Sequence, residues 1–117
     1  IPTFMMDAAK VALECEDSVQ EFNNEYRKRR KLMTEGLSSI PGIRVPEPEG
    51  AFYVFADVTG TGMTDIEFAD GALEAGVQLI PASLITGGEG FVRISYAADE
   101  EDIMEGLRRL KSWLLQE

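Results

Sequence analysis

Residues 88–96 read GEGFVRISY, and this stretch decides the fold. Its two glycines favour a sharp bend, and the aromatic and β-branched residues after them are typical of a β-strand. Side chains of a strand alternate between two faces. One face would carry Phe91, Arg93 and Ser95, and the other Val92, Ile94 and Tyr96. The sequence therefore predicts an apolar strand with one charged side chain set into it.

That charged residue, Arg93, is isolated in a long acidic region. Between Arg44 and Arg108 it is the only cation, among thirteen acidic residues. A guanidinium on a strand is a rigid pair of N–H donors that matches a carboxylate or a phosphate. The alternative is a structural ion pair with Asp57 or with a nearby glutamate, and the sequence leaves both interpretations open.

The segments around this strand predict an α+β fold, with a small β-sheet and helices packed on one side. Four helices are expected, at 3–14, from Ser18 to Ile40, from Thr64 to about Gly76, and from Asp99 onward. Four short strands are expected at 43–45, 51–58, 77–80 and 91–96. Pro41-Gly42 ends the long second helix.

Two helix starts carry capping-box patterns, at residues 18–21 and 64–67. Apolar residues then recur along one face of the second helix: Val19, Phe22, Tyr26, Met33, Leu37 and Ile40. The helix at 3–14 has little polar surface of its own, so we expect it to need another surface to lie against.

Composition narrows the classes of function. The 117 residues include 21 acidic and 11 basic side chains, for a net charge of −10. Such a surface repels phosphate backbones and anionic lipids, so we expect no nucleic-acid or membrane partner. The absence of histidine excludes Ser-His-Asp and Cys-His mechanisms and histidine-ligated metal sites. The lone Cys15 cannot form an internal disulfide, which favours a reducing, cytoplasmic location.

Several other motifs have simple structural interpretations. Gly60-Thr61-Gly62 resembles the start of a dinucleotide-binding turn, but Asp65 at the third glycine position would repel a pyrophosphate. The basic run at 27–31 is expected to be a solvated helix face, and the acidic run at 99–102 a helix start rather than a metal site. The four lysines fall on predicted helices without a context that marks a Schiff-base lysine. We therefore predict no catalytic, cofactor-binding or metal-binding residues in this chain.

Several stretches together resemble the C-terminal part of a fold-type I, pyridoxal-phosphate-dependent aminotransferase of class I/II, like the aspartate aminotransferases. The most specific is GEGFVRIS at 88–95. Residues 2–9 resemble the segment after the cofactor lysine, and 26–42 the helix that links the large and small domains. Residues 49–53 resemble the family's glycine–apolar–phenylalanine strand, and 76–81 the strand before its proline-glycine loop. Together these pieces cover essentially the whole chain.

This resemblance implies roles for particular residues. Residues 1–17 would be a connecting helix from a missing large domain, and residues 18–117 the small domain. The family's counterpart of Arg93 binds the α-carboxylate of the substrate, an amino acid or keto acid. Gly50 and Phe52 would lie on the small-domain side of the same pocket. The small domain would close over the substrate and desolvate the site.

The resemblance also implies that the chemical machinery lies elsewhere. In the family the Schiff-base lysine, the aspartate on the pyridinium nitrogen and the phosphate-binding turn are upstream of the segment matching Pro2. We therefore expect pyridoxal phosphate in the parent enzyme, none bound to this chain, and no catalysis by this chain alone. The start at Ile1 agrees with a fragment or an engineered domain. The expected partner is the large domain, and a second copy in a homodimer is a further candidate.

The sequence departs from the aminotransferase pattern at one loop, and it leaves two other functions open. Pro81-Ala82 stands where the family has Pro-Gly, so a positive φ at Ala82 would be strained and the loop is expected to differ. Leu84 and Ile85 would be exposed without the large domain. The alternative function is an autonomous or engineered domain with only a binding or self-association role. A weaker third possibility is a carboxylate sensor that uses Arg93.

Overall fold

A three-stranded antiparallel sheet organises the fold in the computed structural model, which describes residues 1–116. The strands are β1 (Tyr53–Asp57), β2 (Ile80–Pro81) and β3 (Phe91–Ser95), and β3 lies between the other two. Arg93 of β3 is paired with Phe55 of β1 on one side and with Ile80 of β2 on the other. Its backbone is therefore held from both sides.

The helices are α1 (Thr3–Glu14), α2 (Glu16–Ser38), α3 (Asp65–Glu74) and α4 (Glu100–Leu115). Two 3-10 turns, Thr59–Thr61 and Ala82–Leu84, lie in the connections. The helix α2 packs on α4 and β1, and α3 packs on β2 and β3. The predicted α+β fold, a small sheet with helices on one side, is confirmed.

The core lies between this sheet and its helices. Alternate strand residues point into it and are buried: Val54, Ala56, Val92, Ile94 and, just after β3, Tyr96. Leu37, Phe68 and Leu110 meet them from α2, α3 and α4. Complete burial of one such aliphatic or aromatic side chain contributes roughly 1.5–3 kcal/mol. The alternation predicted for β3 is therefore confirmed.

The opposite side of the sheet is left uncovered by the helices of residues 1–116. It is lined by half-buried or exposed side chains, which define the uncovered face: Tyr53, Phe55, Phe91, Arg93 and Ser95. Antiparallel sheets often leave one face in solvent, but that face is then usually polar. Here three of its five residues are aromatic.

The apolar stripe of α2 reaches the core only in its second half. Met33, Leu37 and the following Ile40 are buried, whereas Val19 and Phe22 are 49% and 66% exposed. No residue of α1 is buried. The expectation that the first helix needs a surface is therefore unmet among the described residues, because α1 and the start of α2 extend beyond the core.

The two capping-box predictions have opposite outcomes. At α3, Thr64 Oγ1 accepts from the Glu67 amide at 3.2 Å, and the Glu67 carboxylate accepts from the Thr64 amide at 2.9 Å. The box predicted at Ser18 is wrong, because α2 begins at Glu16 and Ser18 lies inside the helix. The break between α1 and α2 falls at Cys15, whose side chain makes no capping hydrogen bond to the start of α2.

Two strand predictions also need correction, whereas the loop at Ala82 avoids the strained conformation, as expected. Residues 43–45 form only one bridge, between Arg44 and Asp57, and the strand expected at 77–80 is shortened to Ile80–Pro81. Ala82 avoids a positive φ because it lies in a 3-10 turn. Leu84 and Ile85 are exposed in this chain, as expected.

Candidate functional site

Arg93 lies at the middle of β3 with its half-buried side chain on the uncovered face. Its guanidinium carbon is 4.4 Å from the centroid of the Tyr53 ring, a cation–π distance. Tyr53 and Phe55 belong to the neighbouring strand, and Phe55 is the direct partner of Arg93. Arg93 is thus diagonal to Tyr53 across the antiparallel pair.

The structural ion pair considered for Arg93 does not form among residues 1–116. Asp57 instead binds Arg44, whose Nη2 is 2.7 Å from the carboxylate, and it accepts from the amide and hydroxyl of Thr59 at 3.0 and 2.6 Å. These bonds, the Thr59 hydroxyl first, hold the pKa of Asp57 below its ordinary value. Within residues 1–116 no carboxylate pairs with Arg93. Its two-pronged donor edge is therefore available to a ligand.

Phe52 packs against Tyr53, the ring that also contacts Arg93. The Phe52 and Tyr53 ring centroids are 4.5 Å apart, and Phe52 is 6.2 Å from Tyr26 of α2. With 39% of its surface exposed, Phe52 is accessible to a ligand or to another domain. Phe52 and Arg93 thus both contact the Tyr53 ring.

Gly50 lies in a separate cleft of about 210 Å³, next to Tyr26, Arg30 and Tyr96. A Cβ atom at Gly50 would meet nothing within 4 Å. Arg93 does not line this cleft, and no neighbour in the described chain requires a glycine at position 50.

The backbone between Gly50 and Phe52 bends sharply at Ala51, which has a φ of 58°. The buried Tyr96 hydroxyl donates to the Ala51 carbonyl oxygen at 2.8 Å, and the Tyr96 amide donates to the Phe52 carbonyl oxygen at 2.9 Å. Burial raises the pKa of Tyr96, which keeps its hydroxyl a donor. Tyr96 therefore fixes the bend that sets the position of Phe52.

Asp65 supports the loop before β3, a role that sequence reasoning missed. Its buried carboxylate accepts from the Ser83 amide at 3.0 Å and the Gly90 amide at 3.4 Å. Hydrogen bonds from Ser83, the largest cause, lower the pKa of Asp65. Asp65 therefore joins both ends of the loop before β3. One signal in the sequence could have indicated this role. Thr64 and Glu67 already form the capping hydrogen bonds at the start of α3, so the Asp65 carboxylate between them is free to bind elsewhere.

The family is decided by a match over most of the chain. The model for class I and II aminotransferases matches residues 1–110. The chain belongs to this family. An aspartate aminotransferase of Pyrococcus horikoshii is 42% identical over 119 aligned positions, which cover 97% of this chain and 30% of that protein. This aminotransferase segment therefore spans about 30% of the length of the curated relatives it matches.

Solved aminotransferases share its structure. An aromatic aminotransferase of P. horikoshii superposes with a TM-score of 0.81 at 37% identity, covering 86% of this chain and 27% of that one. The aspartate aminotransferase of Thermus thermophilus with maleate gives a TM-score of 0.76 at 35% identity, covering 87% and 26%. The architecture is therefore that of one part of a larger aminotransferase.

The family implies pyridoxal phosphate in the parent enzymes, and the described residues do not fit that cofactor on their own. A Schiff-base lysine must be desolvated or next to another cationic group. The four lysines here, at positions 10, 28, 31 and 111, lie on helices; those at 10 and 31 are exposed and face Asp7 and Glu35. None of the four is buried, so none offers a desolvated amine, and the two that stand beside arginines, at positions 28 and 31, are exposed on α2.

Two other classes of site are missing from the same residues. Residues 1–116 contain no group of three or more cysteine, aspartate and glutamate side chains placed to hold a metal ion. None of the described helices combines the length and the apolar character needed to cross a membrane.

Proposed function

We propose that this aminotransferase segment acts as the small domain of a pyridoxal-phosphate-dependent enzyme, in which Arg93 binds the α-carboxylate of the amino-acid or keto-acid substrate. The observation that carries the proposal is the donor edge of Arg93, which no carboxylate of residues 1–116 occupies. A bidentate guanidinium–carboxylate pair fixes the orientation of the ligand as well as its charge. The aspartate aminotransferase of Thermus thermophilus was solved with maleate, a dicarboxylate, which agrees with carboxylate recognition in that relative.

The proposal divides the enzyme's work between this segment and the rest of the polypeptide. Residues 18–117 bind and orient the carboxylate and exclude water when they close over it, and residues 1–17 connect them to the large domain. Phe52 and Gly50 lie on the substrate side of this small domain. The cofactor, held elsewhere, supplies an electron sink for the carbanion at Cα. This chain alone is then inactive.

A chimera tests the proposal directly. This chain would replace the matching 30% of the P. horikoshii aspartate aminotransferase, with cofactor absorbance and circular dichroism as checks of assembly. We expect amino-group transfer from aspartate by the chimera and none by the chain alone. Arg93→Lys should lower kcat/KM by about tenfold to a hundredfold, because one ammonium cannot replace two parallel charged hydrogen bonds.

The matched control is Arg108→Lys, on α4 and on the other side of the sheet, where Arg108 is paired with Glu105. It should leave kcat/KM unchanged. A chimera that folds and binds pyridoxal phosphate but has the same kcat/KM with Arg93 or Lys at this position would overturn the assignment.

A second candidate, a self-associating domain, is favoured by the exposure of α1. Its exposed apolar residues include Phe4, Met5, Met6, Val11 and Leu13. Sedimentation equilibrium of the chain with and without residues 1–17 separates the candidates. A dimer that depends on α1 supports association, and a monomer in both cases supports the enzyme-domain proposal. The cytoplasmic location and the homodimer of the parent enzyme remain predictions.

A further inference from the structure

The Arg93 side chain is held by an aromatic ring and not by an acid of the described residues. Its guanidinium carbon lies 4.4 Å from the Tyr53 ring centroid, and both side chains are half-buried on the uncovered face. The strand register supports this contact, because Tyr53 is paired with Ser95 and is therefore diagonal to Arg93. Diagonal neighbours on one face of a sheet are within reach of long and aromatic side chains.

The two surfaces of a guanidinium serve different partners. An aromatic ring attracts the planar face, whereas a carboxylate binds the N–H groups along the edge. A ring can therefore hold the group still without occupying the donors that a substrate needs. A carboxylate in the same place, such as the one that Arg44 has in Asp57, would fill those donors.

Tyr53 is itself supported from the helical side of the molecule. Its ring centroid is 4.5 Å from that of Phe52, and Phe52 is 6.2 Å from the ring of Tyr26. Tyr26 in turn lies 6.3 Å from the buried Tyr96. The ring under Arg93 is thus the end of a row of contacts that begins in the core.

We propose that Tyr53 is a positioning residue, which sets the orientation of the Arg93 guanidinium for an incoming substrate carboxylate. This inference rests on the proposed function of Arg93. It predicts that loss of the ring weakens substrate binding and leaves the chemical step alone, and that loss of the phenolic hydroxyl has no effect. The variants are Tyr53→Leu and Tyr53→Phe, and the matched control is Phe91→Leu, an aromatic residue of the same face without a cation–π contact to Arg93.

The first measurement uses the full chain and does not depend on activity. Protons above an aromatic ring resonate upfield, so the Arg93 side-chain signals in a labelled sample report the stacking. We expect upfield Arg93 signals in the unmodified chain, in Tyr53→Phe and in Phe91→Leu, and a return to the ordinary range in Tyr53→Leu. Ordinary Arg93 shifts in the unmodified, folded chain would overturn the inference.

The second measurement separates this inference from the proposed function. In the chimera, Tyr53→Leu should raise KM by about threefold to tenfold with little change in kcat, and Tyr53→Phe should restore the original KM. If Arg93→Lys raises KM but Tyr53→Leu does not, only the positioning role of Tyr53 fails. If Arg93→Lys leaves KM unchanged, the carboxylate assignment fails and the role of Tyr53 fails with it.

Discussion

The carboxylate of Asp65 accepts a hydrogen bond from the backbone amide of Ser83 at 3.0 Å. The same carboxylate also accepts from the amide of Gly90, directly before β3. One buried side chain at the start of α3 therefore closes the loop that leads to the strand of Arg93. The segment that leads into the strand of Arg93 is therefore anchored by this carboxylate.

Asp65→Ala should destabilise the chain by roughly 1–3 kcal/mol, because it leaves the half-buried amide of Ser83 and the buried amide of Gly90 without their acceptor. Urea unfolding followed by the fluorescence of Trp113, the single tryptophan, measures the change. Asp70→Ala, at an exposed position of the same helix, should stay within about 0.5 kcal/mol of the unmodified chain. Equal effects of the two substitutions would contradict a special role for Asp65.

The free energy of unfolding should decline in acid, because several carboxylates have lower pKa values in the folded chain than in the unfolded chain. Asp57 and Asp65 have folded-state pKa values below the ordinary 3.8, and paired arginines lower the pKa of Glu105 to about 2. Each carboxylate stabilises the fold above its unfolded-state pKa, and this contribution is lost as the pH falls toward the folded-state value. The free energy of unfolding should therefore be constant from about pH 5 to about pH 9, below the range in which tyrosine ionises, and should fall between about pH 4.5 and 2.

Asp65→Asn should reduce the steepness of that decline, since an amide does not titrate. Urea midpoints measured at a series of pH values for both chains test this directly. Parallel curves for the two chains would show that Asp65 contributes nothing to the pH dependence.

The capping boxes make a paired prediction. Thr64→Ala should cost about 1 kcal/mol, because its hydroxyl satisfies an amide at the start of α3. Ser18→Ala, in the box that does not form, should have almost no effect, since alanine suits a helix interior. Thermal unfolding of both variants gives the comparison, and a larger loss at Ser18 would mean that α2 begins later than residue 16.

Removal of residues 1–17 should leave the free energy of unfolding within about 0.5 kcal/mol, because these residues bury no side chain. Helical circular dichroism should fall in proportion to the residues removed, while the urea midpoint stays constant. A lower midpoint would show that α1 belongs to the folded unit, and the boundary between residues 17 and 18 would be wrong.

Much of this fold could be predicted because local chemistry and tertiary packing agree. The alternation around Arg93 predicts which side chains of β3 are buried, and the Thr64 box predicts the start of α3. Ser18 has the same pattern as Thr64, but its segment continues from an existing helix and buries nothing. A capping box identifies a possible helix start, and packing decides which one is used.

The central residue of the candidate site, Arg93, could be predicted from the sequence, but the residues that position it could not. Arg93 stands out because it is a single cation inside an apolar strand. The stacking of Tyr53 depends on a diagonal pairing between strands distant in sequence, and the role of Asp65 depends on a loop that returns to α3. The left-handed Ala51 was missed because that conformation is rare for alanine. At Ala82, where a positive φ would have been strained, the chain forms a 3-10 turn instead.

The uncovered face of the sheet also governs how copies of this chain behave at different salt concentrations. With a net charge of −10, copies repel one another over about 30 Å in 0.01 M salt, well before their aromatic surfaces meet. In 1 M salt the repulsion extends only about 3 Å, which is within contact range. Dilute buffer should therefore keep the chain dispersed, and concentrated salt should remove the charge repulsion that keeps exposed apolar surfaces of two copies apart.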